Sequence, residues 1–390
     1  MSSESMHANW SYPTQIRFGP GRIIELADAC RDAGIQRPLI VTDPGLVALP
    51  PLAAAADAFG SQPPPVFHEL RPNPVARDVE AGVAAFRAGE HDGVIAMGGG
   101  SALDVGKLIA FIAGQSRPLW DFEDVGDNWT RADPAGIAPV IAVPTTAGTG
   151  SEVGRAGVVI DEAAGRKVIV FHPRMLPSVV ICDPALTIDL PRTLTVGTGL
   201  DALSHSLEAL CAPAFHPMSH GIALEGCRIV MTHLPVAAAE PTNLESRGQM
   251  MVAAAMGAVA FQKGLGGMHA LSHPIGARFD THHGMTNAVV MPYVLVANRH
   301  TIEPTIERLA AYLAIPGGFD GYLRAVVDLR AALDVPPTLV ELGVDPAAVE
   351  EIATAAAADP SAAGNPVPFD VELAARVFNA ACTGDLVTTP

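Results

Sequence analysis

Basic side chains are scarce in this chain. Lysine and arginine number 24 against 41 aspartates and glutamates, a formal net charge of −17. A surface of that sign repels phosphate backbones and anionic headgroups, so it argues against nucleic acid and anionic membranes as partners. An anionic small substrate stays open, because a site can be basic within an acidic surface. Cysteine is sparse as well. Cys30, Cys182, Cys211, Cys227 and Cys382 are dispersed, with no CxxC pair. That pattern fits reduced thiols buried as small apolar groups better than a disulfide framework. No stretch of about 18 apolar residues runs without charge, glycine or proline, so no membrane span is expected. The first residues, MSSESMHANW, hold no apolar signal core and read as a loose arm. There is no internal repeat. These absences leave a soluble, cytoplasmic protein as the expectation.

What is present is apolar bulk: 390 residues, 49% of them hydrophobic, enough for two or three cores. Strands are expected at 37–43, 93–97, 139–143, 156–160 and 178–182, and helices at 78–88 and 102–113. Strands alternating with helices predict an α/β unit with a mostly parallel sheet. From about residue 190 the texture becomes Ala/Leu-rich and helical, with helices expected from Pro191 and over 232–239, 244–260, 301–313 and 321–333. An Ala-rich stretch at 353–363 reads as a helix end with a loop. The division expected is an α/β domain over 1–189 and an all-helical domain over 190–390.

Two loops follow strands in the first half. Gly98-Gly99-Gly100-Ser101 lies between a strand and a helix, where backbone and helix N–H groups can approach a phosphate. Ser101 is placed to cap that helix and Asp104 to complete the cap. The stretch is not GxGxxG, nor a P-loop, since Lys107 is followed by Leu108. A plain tight turn is an equal reading of these residues alone. The second loop, PTTAGTGS at 144–151, follows another strand, and two such loops at neighbouring strand ends would face one ligand crevice. Asp43, ending the first strand, is placed to accept from a ribose and to repel a 2′-phosphate; alone it is equally a turn former.

The second half carries a histidine constellation. In residues 264–283, GLGGMHALSHPIGARFDTHH, His269 and His273 are one helical turn apart, and His282 and His283 follow after a gap. Asp201 and His205 repeat that spacing upstream. A carboxylate and two or three imidazoles offered from two helices make a ligand set for a divalent metal such as Fe²⁺ or Zn²⁺.

Together these segments resemble the iron-containing (group III) alcohol dehydrogenase family. GGGSALDVGK at 98–107 is similar to its pyrophosphate turn and PTTAGTGSEV at 144–153 to its second nucleotide loop. DALSHSLEAL at 201–210 and HALSHPIGARFDTHHG at 269–284 are similar to its two metal segments. The resemblance covers about residues 18–298. It implies a Rossmann-like dinucleotide domain and a helical metal-binding domain, an architecture shared with dehydroquinate synthase. It implies Asp201, His205, His269 and His283 as metal ligands, and His273 as a non-ligand histidine near the substrate, suited to relay a proton. Asp43, Asn73, Gly99, Gly100, Ser101, Thr145, Thr146, Thr149 and Lys167 would contact the cofactor, NAD in preference to NADP. The activity implied is hydride transfer between nicotinamide and an alcohol or aldehyde held by Fe²⁺, or by Zn²⁺, in a homodimer or higher homo-oligomer.

The sequence also departs from that pattern. Gly154-Arg155-Ala156 replaces a run that often carries Thr and Asn, the Phe261–Gly264 stretch is one residue shorter, and Arg278 stands at a position more often apolar. Arg155, Phe261 and Lys263 are therefore candidate substrate contacts. One of Arg155, Lys263 and Arg278 is expected to bind an anionic group, as in a semialdehyde or hydroxy acid. Other readings are a dehydroquinate synthase-like lyase, a maleylacetate reductase and a non-catalytic metal-binding protein.

Overall fold

The computed structural model describes residue 12 and residues 14–386. The expected N-terminal arm lies outside the described residues. The chain divides into two compact units, one of residues 12–190 with 242–251, the other of 191–241 with 252 onward.

The first unit is built on a six-stranded parallel sheet. Its strands are β1 (Gln15–Phe18), β2 (Pro38–Thr42), β3 (Val66–Phe67), β4 (Gly93–Gly98), β5 (Val140–Pro144) and β8 (Val179–Cys182), in the order β1-β8-β5-β4-β2-β3. Helices α1 (Leu26–Asp32), α2 (Pro50–Asp57), α3 (Ala76–Ala88) and α4 (Gly100–Ile112) connect them. Every residue of β2, β4, β5 and β8 is buried. That is why these strands read as continuous apolar runs, since both faces are covered by helices. Alternate residues feed opposite cores: Leu39, Val41, Val94 and Ala96 pack with α3 and α4, whereas Ile40, Ile95 and Met97 pack with Leu26, Ala29 and Leu52 of α1 and α2.

The strands expected at 37–43, 93–97, 139–143 and 178–182 are in this sheet. The one at 156–160 is not. It forms β6 (Ala156–Asp161), which pairs antiparallel with β7 (Arg166–Phe171) as a separate two-stranded sheet. Its pattern, buried only at Gly157 and Val159, is that of a strand with one covered face. Helix α4 is wedged between the two sheets. A methyl at Gly106 would lie 2.6 Å from the Ala96 Cβ, and one at Gly157 2.6 Å from the Leu108 Cγ. The segment 242–251 joins this unit because Met251 lies in its core and Gly248 packs on Phe18 and Pro184.

The second unit is helical: α5 (Arg192–Cys211), α6 (Pro217–Ala239), the end of α7 (Leu244–Ala260), α8 (Gly267–Phe279), α9 (His283–Tyr312), α10 (Gly318–Ala332), α11 (Val349–Ala357) and α12 (Val371–Thr383). Helix α5 is buried almost throughout from Thr195 to Leu210 and packs on α6 and α9. Helix α6 has the length and apolar composition to cross a membrane. Here Ala223, Cys227, Val230 and Leu234 are buried in a helix packed along α5, with Pro235 near its end. All five cysteines are free thiols, four of them buried, and burial pushes Cys30 up to about 12.

The close approach of α4 to β4 is testable. Gly106→Ala forces a methyl against the Ala96 Cβ and backbone, neither of which can rotate away. We expect a loss of about 1–3 kcal/mol, read from the urea midpoint of the α/β transition. An unchanged midpoint would mean that the sheet yields to α4.

Candidate metal centre and dinucleotide site

Helix α5 presents Asp201, His205 and Glu208 on one face, because spacings of four and three return the chain to the same side. All three are buried, at 3%, 5% and 5% exposure. Helix α8 adds His269 and His273, and α9 adds His283 as its first residue. Three helices supply the set, where two were expected. The ligand atoms of Asp201, His205 and His269 lie within 4.8 Å of one another. From Asp201 Oδ1 the distances are 4.0 Å to His205 Nε2, 3.9 Å to His269 Nε2 and 3.5 Å to His283 Nε2. Tetrahedral ligands bonded at about 2.1 Å would stand about 3.4 Å apart, so a divalent ion fits with small contraction. His282 is no ligand: its Nδ1 caps α9 by accepting from Met285 N at 3.3 Å.

The partners of these atoms decide what they can hold. Glu208 Oε2 lies 2.6 Å from His269 Nδ1, and Oε1 accepts from Met268 N at 2.6 Å. With Nδ1–H given to Glu208, His269 presents its Nε2 lone pair to the site. Burial disfavours the charged imidazole, but Glu208, with Asp201 and Asp359, outweighs it, so the pKa of His269 is raised. Asn287, one turn after His283, donates from Nδ2 to Asp201 Oδ1 at 2.9 Å. The same nitrogen stands 3.3 Å from His269 Nε2 and 3.2 Å from His283 Nε2. Two amide hydrogens cannot serve three acceptors. A carboxylate oxygen and imidazole nitrogens gathered around one shared amide form a donor set of the kind a divalent cation takes.

His273 stands apart from the ligand set. Its ring stacks on His283 at 5.4 Å, and its Nδ1 lies 2.8 Å from Asp359 Oδ2. Burial opposes the charge on Asp359, but the His273 hydrogen bond and charge and the Ser361 N–H together hold its carboxyl below the usual range. Asp359 lies at the end of the Ala-rich stretch that had been read as a helix end with a loop. Phe261 packs its ring 5.1 Å from that of His205.

In the α/β unit the two glycine-bearing loops, after β4 and after β5, meet. Thr145 N donates to Gly98 O at 3.0 Å. A methyl at Gly99 would lie 3.5 Å from the Thr146 Cγ2, and one at Gly100 2.7 Å from the Thr149 Cγ2. Asp43 Oδ2 accepts from Gly99 N at 3.0 Å; burial pushes its carboxyl up, and that hydrogen bond opposes the rise. Gly98 has φ 144, and a side chain there would also strike Asp43. Helix α4 starts at Gly100, and its first turn offers backbone N–H groups. Lys167 pairs with Ile160 in the β6–β7 ladder, and Ile160 also bridges to Val75, two residues after Asn73.

Several expected roles are replaced. The cap of α4 is Gly99, with no side-chain cap, because the helix begins two residues earlier than expected. Ser101 lies inside the first turn and donates to Pro72 O. Asp104, a turn further on, accepts instead from Ser151 Oγ at 2.5 Å and Val158 N at 3.1 Å. Lys263 Nζ donates to Leu210 O at 2.9 Å and so caps α5. Arg278 is exposed and pairs with Glu351 at 3.5 Å, not with Asp280. The Arg155 guanidinium lies 5.3 Å from the centre of the Phe171 ring. Glu208, Asn287 and Asp359 were missed. Glu208 alone carried a local signal, its place seven residues after Asp201.

Comparison with known proteins adds an independent finding. Residues 13–184 match a family model described as iron-containing alcohol dehydrogenase, and residues 195–382 match one for the C-terminal part of the Fe-containing alcohol dehydrogenase family. The chain is 39% identical to a 4-hydroxybutyrate dehydrogenase of Cupriavidus necator, over 91% of this chain and 94% of that protein. It is 32% identical to a 1,3-propanediol dehydrogenase of Klebsiella pneumoniae, over 93% and 96%. Its fold is similar to that of a sulfoacetaldehyde reductase from Bifidobacterium kashiwanohense in complex with NAD⁺, with TM-score 0.89 and 29% identity, covering 97% of this chain and all of that one.

The Glu208 contact gives a prediction at the metal centre. Glu208→Gln keeps the shape but cannot accept from both Met268 N and His269 Nδ1. Affinity for Zn²⁺ or Fe²⁺, read by chelator competition, should fall about 10–100-fold. Unchanged affinity would mean that His269 is oriented by packing alone.

Proposed function

Because the chain belongs to the iron-containing alcohol dehydrogenase family, we propose that it interconverts a short primary alcohol and its aldehyde with NAD at the Asp201–His205–His269–His283 centre. The protein is an oxidoreductase acting on CH–OH groups. The observation that carries the assignment of the centre is the convergence of one carboxylate and three imidazoles, with Glu208 fixing the His269 tautomer. A divalent metal held by Asp201, His205, His269 and His283 would supply Lewis acidity at the substrate oxygen, and a nicotinamide would supply the hydride donor or acceptor. Asp201 contributes the negative charge of the set and is held by Asn287. His273 keeps its Nδ1–H on Asp359, which leaves Nε2 to exchange the substrate hydroxyl proton with solvent. Phe261 walls the site beside His205 and keeps water from that side.

In the α/β unit, the start of α4 with Gly99, Gly100 and Ser101 takes the pyrophosphate, and Thr145, Thr146 and Thr149 border it from the second loop. Asp43 faces the adenosine ribose, and Asn73 and Lys167 are assigned to the same cofactor. The free, mostly buried cysteines support a cytoplasmic location. A homodimer or higher assembly is part of the same reading, to be read by sedimentation equilibrium.

A second reading, within the same chemistry, is an ω-hydroxy acid or semialdehyde as substrate. It is favoured by the 39% identity to a 4-hydroxybutyrate dehydrogenase.

Three results test these readings. Asp201→Ala and His269→Ala should abolish turnover while the protein still melts cooperatively; full activity of a verified metal-free variant would remove the metal from the chemistry. Asp43→Gly should raise the NADP-to-NAD ratio of kcat/KM, since it removes a carboxylate that repels a 2′-phosphate. If wild type already uses NADP better, Asp43 serves only Gly99. Matched aldehydes differing by a terminal carboxylate separate the two substrates. A preference for the carboxylate that Arg155→Ala lowers about tenfold or more supports the hydroxy acid. Equal or better use of the neutral one, with an unchanged ratio in Arg155→Ala, leaves a simple alcohol.

A further inference from the structure

We propose that Asp104 and Lys107 are positioning residues that fix the second nucleotide loop, residues 144–151, for the dinucleotide, and that neither touches its phosphates. The proposal rests on the reading of the α/β unit as the nicotinamide site. Both residues belong to the GGGSALDVGK segment that resembles a pyrophosphate turn, and a lysine beside a glycine triplet is commonly taken for a phosphate ligand.

The geometry assigns Lys107 differently. Its side chain is 2% exposed. Its Nζ donates to Ser151 O at 3.0 Å and to Ala156 O, with Asp104 Oδ1 at 3.3 Å. An ammonium has three hydrogens, and three oxygens surround it, so no donor is left for a phosphate. Asp104, one turn earlier on the same face of α4, is committed in the same direction. Its Oδ1 accepts from Ser151 Oγ at 2.5 Å and its Oδ2 from Val158 N at 3.1 Å.

Both side chains therefore grip the exit of the loop, where the chain leaves Gly150, in the left-handed region with φ 62, and makes the 3-10 turn Ser151–Val153. The grip reaches back into the loop. Ser151 N donates to Thr149 Oγ1 at 3.3 Å, and Thr149 is the residue packed against Gly100. One helix thus offers its N-terminal N–H groups from Gly100 onward and, one to two turns later, locks the loop that faces them. The two walls of the cradle are held in register by a single rigid element.

The test uses the full-length protein. NADH binding is read by fluorescence titration and metal binding by chelator competition. The variants are Lys107→Met, Asp104→Ala, Ser151→Ala and the Asp104→Ala/Ser151→Ala double. In Lys107→Met two carbonyls lose a buried donor, so the NADH Kd and the KM for cofactor should rise about tenfold or more. kcat at saturating cofactor should change far less, and metal affinity should hold, because the ligand set lies wholly in the helical unit. The double variant should bind NADH no more weakly than Asp104→Ala, because Ser151 Oγ and Asp104 share one hydrogen bond. An unchanged NADH Kd in folded variants overturns the proposal. So does a joint fall of NADH and metal affinity, which would mark a merely structural role, and so does full additivity of Asp104→Ala with Ser151→Ala. If Lys107→Met does not fold, the two milder singles and their double decide. A wild type that binds no NADH defeats the nicotinamide reading itself, and this proposal with it.

Discussion

The helical unit depends on one buried contact, the Glu208 carboxylate against the start of α8. A carboxylate that is 5% exposed is tolerated only if its oxygens are taken. Glu208 meets this with Met268 N on one oxygen and His269 Nδ1 on the other. The first bond fixes where α8 begins, and the second fixes which nitrogen of His269 faces inward. Gly266 and Gly267 precede His269 because the approach is close: a methyl at Gly266 would lie 3.2 Å from Glu208 Oε1. Asn365 Oδ1 takes the Gly267 N–H at 3.1 Å and itself exchanges hydrogen bonds with Asn298 of α9. The placement of α8 against α5 and α9 therefore runs through polar groups, and the imidazole geometry follows from it.

The α/β unit solves a similar problem with opposite charge. Lys107 is buried within a helix, and that burial lowers its pKa, with Asp104 and Glu152 pulling the other way. Glu152, in turn, is buried beside it and is pushed up to about 7, chiefly by desolvation. Such groups contribute little net stability, since desolvation consumes much of the attraction. What they contribute is uniqueness of arrangement, because a loop anchored through an ammonium and a carboxylate has one register in which all partners are met.

Which features were legible in the sequence follows from the distance over which each is determined. Asp201/His205 and His269/His273 were readable as pairs, since a spacing of four on a helix guarantees a shared face. The strands at 38–42, 93–98, 140–144 and 179–182 were readable because each is buried on both sides and so is apolar throughout. β1, β3 and β7 were not: the first two are short edge strands and the third alternates on one covered face. Asp359 meets His273 across 86 residues, and Asn287 meets Asp201 across the same number. No local pattern marks either pairing. The assignment of Ser101 as a cap failed by two residues of helix start, the boundary that hydrogen bonding decides and composition does not.

The same distinction governs the cations that suggested an acidic substrate. A shortage of basic residues made three of them near the family's pocket segments conspicuous, yet charge counted along a sequence says nothing about where the charged atom ends. Lys263 spends its ammonium on Leu210 O, the helix C-terminus where a cation is favoured by the carbonyl dipoles. Arg278 ends in solvent beside Glu351, both more than half exposed, where an ion pair contributes little. Arg155 lies over Phe171, its charge favours the ionised form of Asp124, and its carbonyl accepts from His172 N at 3.2 Å. The arginine is thus set by an aromatic face and an acid of its own unit, as Lys263 is by a helix end and Arg278 by Glu351.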